Sequence, residues 1–234
     1  MVPIRCGQCK NVIDIVSEDS DLVCTRSEAL VFPRGESSAL YRYGIRSVLM
    51  KREVTITYLE LLPADPIHVR DIKPEGVELR RTDTVQPELN RFLYTAVGGE
   101  WYWVDRLSWS YADWQNLLRQ EGYETWVLLK DGSVAGYFEL EKKPGGEYDI
   151  AYFGLLPQYL GRGLGGYLLS QAIRRCRDLG AVRITVNTCT LDHPGALRNY
   201  IARGFRPVRT VTVQKELPDR PIGPWPGADP QMPT

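Results

Sequence analysis

The stretch Leu155-Leu-Pro-Gln-Tyr-Leu-Gly-Arg-Gly-Leu-Gly-Gly-Tyr-Leu-Leu169 decides how this chain of 234 residues is read. Ahead of it, Glu147 to Leu156 reads as a strand, and Pro157 to Arg162 as a loop. From Gly163 onward Leu164, Leu168, Ala172, Cys176 and Leu179 fall on one helical stripe, which Gly180 ends. Glycines at 161, 163, 165 and 166 sit where the loop enters the helix, more than a tight turn requires. Bare backbone lets N–H groups approach a ligand closely, and the helix N-terminus adds partial positive charge. The expected occupant is a phosphate-bearing molecule.

Two phosphate-binding patterns fail on their surroundings. Gly161, Gly163 and Gly166 satisfy the dinucleotide spacing G-x-G-x-x-G, but Pro157 to Leu160 separate the glycines from the strand. The next strand, Arg183 to Thr188, ends in Asn187 and Thr188, where a ribose-binding acid is required. A nicotinamide-dependent oxidoreductase is therefore disfavoured. No Gly-Lys-Ser/Thr follows the glycines, which removes the Walker loop.

Outward from this stretch the chain alternates strands and helices. Glu53 to Leu61 is β-branched and alternating, and a proline-rich loop follows over 62–76. Strands are expected at 78–81, 124–130, 133–142, 183–188 and 208–217, and helices at 86–97, from Ser110 to Gln120, and at 196–203. Asp131-Gly132 marks a hairpin. From residue 78 the order is β-α-α-β-β-β-α-β-α-β, a mixed α/β domain. Residues 83–150 carry 12 acids and 6 bases, whereas 174–220 carry 10 bases and 4 acids, so a formal net charge of zero conceals two opposed halves. These either attract each other as solvated faces or serve a cationic and an anionic ligand.

A second motif follows the glycine loop: His193-Pro-Gly-Ala196-Leu-Arg-Asn-Tyr200-Ile-Ala-Arg-Gly204-Phe205. The two stretches, in this order with a strand between them, resemble motifs A and B of the GNAT superfamily of N-acetyltransferases, over about residues 77–215. The resemblance implies an α/β fold with a mixed, mostly antiparallel central sheet flanked by helices. It implies acetyl-CoA as co-substrate and direct attack by an amine, with no acyl-enzyme. Leu155 would face the pantetheine arm, and Leu160, Gly161, Arg162, Gly163, Leu164 and Gly165 the pyrophosphate. Tyr200 matches the tyrosine that protonates the departing thiolate. For the base, Asp149 stands six residues before Leu155, where protein-lysine acetylating members place a glutamate. Glu147 on the same strand face and Glu139 on the neighbouring strand are further candidates, as is His193, which otherwise shapes its loop with Asp192 and Pro194. Leu160 stands where the family often has Gln or Arg, and His193 where it usually has Asn. Trp101, Tyr102, Trp103, Trp109 and Trp114 fall where the family covers its acceptor, and aromatics there either box a cation or build core. The same fold also serves a non-catalytic acyl-CoA-binding sensor, for which a phenol at 200 has no use.

Four regions follow: 1–50, an extension of unknown role; 51–76, strand and linker; 77–217, the GNAT-like domain; and 218–234, a Pro/Gly-rich tail expected to be disordered. Cys6-Gly-Gln-Cys9 resembles half a zinc ribbon, but only Cys24 lies nearby and no histidine precedes His68, so no metal is expected. No apolar run approaches the ~20 residues that span a bilayer, and the N-terminus lacks an apolar signal core. With no net charge, neither nucleic acid nor membrane is an expected partner, and a cytoplasmic location is expected.

Overall fold

A computed structural model of the chain describes residues 49–68, 72–225 and 228. Its elements are β1 (Leu49–Leu61), β2 (Val77–Arg81), α1 (Pro87–Gly98), α2 (Tyr111–Leu118), β3 (Tyr123–Lys130), β4 (Ser133–Lys143), β5 (Glu147–Leu155), α3 (Leu164–Asp178), β6 (Arg183–Cys189), α4 (Ala196–Ile201) and β7 (Arg206–Pro218). The strands form one sheet in the order β2-β3-β4-β5-β6-β1-β7. Every neighbouring pair is antiparallel except β5 and β6, which run parallel.

Local chemistry sets these elements. Ser110 and Asp113 form a reciprocal capping box that starts α2. Asp131 and Gly132 both take positive φ, 50° and 76°, as the expected tight β3–β4 turn requires. On one face of the sheet α3 packs Leu164, Leu168, Ala172 and Ile173 against Phe138, Leu140, Ile150 and Ile184. On the other, α1 and α2 set Leu93, Tyr94, Val97 and Trp114 against Val127, Tyr137 and Tyr152. The opposed charge halves meet directly: the Arg175 guanidinium donates to both oxygens of Glu124, at 2.8 and 2.6 Å.

Two expectations need amending. The segment set ahead of the domain as strand and linker contributes β1, which is inserted between β6 and β7 and antiparallel to both, with Ile56 opposite both Cys189 and Val211. The physical reason is that β6 and β7 need a partner between them, and β1 supplies it with a strand of 13 residues. Its Leu59 and Leu61 are 1% exposed in the main core. The start of the tail is also engaged. Arg52 donates to the Asp219 carbonyl at 2.6 Å, and the Gly223 N–H donates to the Gly99 carbonyl at 3.1 Å. The readings of Cys6, Cys9 and Cys24 lie outside the described residues. Among those described, no helix is long and apolar enough to cross a membrane.

If β1 belongs to the core, Leu59→Ala will lower the unfolding free energy by about 2–5 kcal/mol, as buried Leu→Ala truncations do. A urea titration measures this, and an unchanged midpoint would place β1 outside the cooperative unit.

Candidate active site

The parallel ladder between β5 and β6 is short. Glu147 faces Arg183, Tyr148 faces Ile184 and Asp149 faces Thr185, and there the pairing ends, although β5 continues to Leu155 and β6 to Cys189. Beyond Asp149 the strands part and leave a cleft of about 230 Å³. Ile150 to Leu155 of β5 form one wall; Asn187 of β6 and the loop residues Asp192 and His193 form the other. Leu160, Gly161, Gly165 and Gly166 line the end where α3 begins, Trp101 and Trp103 the side under α1, and Asn199 and Tyr200 enter from α4.

The glycine loop has the geometry its sequence requires. Gly161 and Gly163 have φ of 72° and 77°, the left-handed region. Gly163 is the N-cap of α3 and offers no side-chain cap, so the first N–H groups of the helix are left for an external acceptor. Next to Gly161 there is open space: a Cβ built there meets nothing within 4 Å. Of the residues expected to hold a cofactor, Leu155, Leu160, Gly161 and Gly165 line the cleft, whereas Arg162, Gly163 and Leu164 do not. The Leu164 side chain is buried in the core, and Arg162 is exposed beside the Tyr159 ring. The backbone of all three remains part of the loop.

Tyr200 is 5% exposed, with its ring 6.0 Å from those of Phe153 and Phe205. Burial, and then the charges of Asp192 and Asp149, push its phenol well above the ordinary tyrosine value. It therefore keeps its proton at neutral pH. Of the three acids expected as candidate bases, Glu147 is ion-paired to Arg183 at 2.7 Å and does not line the cleft; the other two are placed differently. Asp149 lies where the β5–β6 ladder ends, its Oδ1 accepting from Thr185 Oγ1 at 2.8 Å, and it does not line the cleft. Glu139 is fully buried beneath α1. It accepts from Arg106 Nη1 at 2.7 Å, from Asn90 Nδ2 at 2.9 Å and from the Tyr123 hydroxyl. Period two carries Glu139 to the same face as Tyr137, the face that α1 and α2 cover, and it does not line the cleft.

The aromatic cluster divides along the same line. The Arg106 guanidinium carbon sits 4.2 Å from the Tyr152 ring centroid, 4.8 Å from Trp109 and 5.4 Å from Trp114, so the cation these rings enclose is the chain's own. Trp101 and Trp103 are left to line the cleft. Sequence reasoning missed Asp192 as a site residue. Its only signal was its place in the loop between a strand and motif B, where it read as a shaping residue. It accepts from Thr188 Oγ1 and the Cys189 N–H, both at 2.9 Å, and from the Trp103 side chain, and burial raises its carboxyl. His193 accepts the Gly195 N–H on Nδ1 at 2.9 Å and meets the edge of Trp101 at 5.4 Å.

Compared with known proteins, residues 85–205 match the Acetyltransferase (GNAT) family. The chain belongs to that family. No curated protein matches it. A GCN5-related N-acetyltransferase from Sphaerobacter thermophilus is similar at 18% identity and TM-score 0.52, with 77% of this chain and 56% of that one aligned. A GCN5-related N-acetyltransferase from Kribbella flavida aligns at 19% identity and TM-score 0.51 over 72% of this chain and 60% of its own length. A tandem GNAT protein of the clavulanic acid biosynthesis pathway aligns at 21% identity and TM-score 0.51, over 79% and 61%. This chain thus spans little more than half the length of these structures, and the likeness is one of fold.

Removing the Glu139 carboxylate strands the Arg106 charge in the interior, which costs about 3–5 kcal/mol for a broken buried pair. Glu139→Ala will therefore lose stability by that order in urea denaturation. Near-native stability with abolished turnover would instead return Glu139 to the chemistry.

Proposed function

We propose that this chain transfers the acetyl group of acetyl-CoA to an amine by direct attack. The observation that carries the reading is the β5–β6 cleft, with the uncapped N-terminus of α3 at one end and the protonated phenol of Tyr200 on its wall. Family membership supports acyl transfer in general.

In this reading the backbone N–H groups from Leu160 to Gly165 receive the pyrophosphate, which loop glycines and helix dipole both favour. On its β6 side, β5 has lost its ladder beyond Asp149, so its backbone groups there are free to pair with the amide-bearing pantetheine arm. The arm then runs past Leu155 and Phe153 and brings the thioester toward Tyr200. Tyr200 gives its proton to the sulfur as the carbon–sulfur bond breaks; a developing thiolate is basic enough to take it from a phenol.

Tyr200→Phe separates a transferase from a binding module. CoA release from acetyl-CoA in the presence of primary amines is expected to fall about 100-fold or more, as loss of a general acid does, while acetyl-CoA affinity by calorimetry changes little. Equal changes in both, or in neither, would remove the acid role. Gly163→Asp places a carboxylate where the phosphates are expected, in a backbone region aspartate tolerates better than most residues. It is expected to abolish acetyl-CoA binding with the fold retained, and unchanged affinity would overturn the phosphate-loop assignment.

A further inference from the structure

We propose that Asp192 is the carboxylate that receives the acceptor's ammonium group and removes its proton. This rests on the transferase reading above. An aliphatic amine arrives at neutral pH as a cation with no lone pair. Something in the cleft has to hold that charge and take a proton before the nitrogen can attack.

Among the described residues Asp192 is the one carboxylate that lines the cleft. Glu139 is enclosed by Arg106, Asn90 and Tyr123 beneath α1, and Asp149 is tied to Thr185 where the strands are still paired. The position of Asp192 is fixed from both lips of the opening. Thr188 and Cys189 hold its Oδ2 to the end of β6, and Trp103 reaches it from the segment after α1. All three partners are neutral donors, so the carboxylate's charge is left for a cationic ligand. Its donors are the Thr188 hydroxyl, the N–H and the thiol of Cys189, and the Trp103 side chain. Burial without a cationic partner raises its pKa, which makes it a better proton acceptor near neutrality.

The titratable groups facing it are Cys189 from β6, His193 from its own loop and Tyr200 from α4, and none of them competes for the role. The Cys189 thiol is pushed up to about 12 by burial and stays protonated. The Nδ1 of His193 is engaged in accepting the Gly195 N–H at 2.9 Å. Tyr200 keeps its phenol proton. Environment thus assigns one acceptor and one donor of protons to the same cleft.

The step balances. Asp192 takes one proton from R–NH3⁺. The freed lone pair attacks the thioester carbon, and the carbon–nitrogen bond forms as the carbonyl oxygen becomes anionic. When the carbonyl re-forms, the carbon–sulfur bond breaks and the sulfur takes the Tyr200 proton. The nitrogen's surplus proton returns to the Tyr200 oxygen, and Asp192 releases its own to water. The products are the amide, the CoA thiol and one proton.

The test compares two small nucleophiles on the full chain: ethylamine, a cation at neutral pH, and hydroxylamine, largely uncharged there. Asp192→Asn preserves the contacts to Thr188 and Cys189 but accepts no proton. Expected is a loss of about 100-fold or more in enzyme-dependent CoA release with ethylamine. Hydroxylamine rates should stay within about threefold, and acetyl-CoA affinity should be unchanged. Equal losses with both nucleophiles, or none with ethylamine, would overturn the role of Asp192 alone. Wild-type protein that binds acetyl-CoA yet releases CoA with neither nucleophile would overturn the transferase reading itself. If Asp192→Asn loses acetyl-CoA binding, Asp192→Ala with added formate decides: return of ethylamine-dependent release supports the assignment, and no return refutes it.

Discussion

Everything in this molecule that bears on chemistry depends on the parting of β5 and β6 after three residue pairs. A sheet with continuous hydrogen bonding has no interior space between neighbouring strands, about 5 Å apart. Ending the ladder at Asp149 and Thr185 creates that space and leaves one backbone edge of β5 unpaired along it. The break is sustained from both sides. β4 pairs with β5 along its other edge as far as Leu155, and β1 pairs with β6 as far as Cys189. Each strand is therefore rigid on the side away from the cleft. β1 matters here more than its position in the sequence suggests, because without it β6 would have no neighbour over the stretch that forms the cleft wall.

The two faces of the sheet divide the work. One carries α3 and α4, and with them the glycine loop and Tyr200. The other carries α1, α2 and the aromatic segment between them. That segment is anchored by Arg106, whose guanidinium is ion-paired to Glu139 at 2.7 Å and surrounded by Tyr152, Trp109 and Trp114. Its backbone N–H also donates to the Tyr94 hydroxyl at 3.1 Å. A buried pair of this kind contributes little net stability over an apolar core, but breaking it is costly, so it fixes one arrangement of the segment. That arrangement delivers Trp101 and Trp103 to the cleft, and Trp103 in turn touches Asp192.

Much of the fold was legible locally. The glycine-rich entry to α3, the Ser110 cap and the Asp131-Gly132 hairpin are each specified by neighbouring residues, and each stands where the sequence places it. Tyr200 was legible from its motif, and it does line the cleft. The acids were not. Asp149, Glu139 and Asp192 are all carboxylates near strand ends or centres, and nothing in their immediate sequence distinguishes an exposed strand charge from a buried ion-pair member or a cleft residue. Nor does the aromatic run from Trp101 to Trp109 announce that a cation from within the same segment fills it.

The sequence by itself determined the class of fold, the glycine-rich loop and the helix that follows, because backbone conformation and amphipathic period are short-range properties of the chain. Only the tertiary structure decided that β1 completes the sheet between β6 and β7, that Glu139 neutralises Arg106, and that Asp192 meets Trp103 across the opening. These are contacts between residues 30 to more than 150 positions apart, and strand order and burial, which no local pattern encodes, set the partners and the solvation of every charge involved.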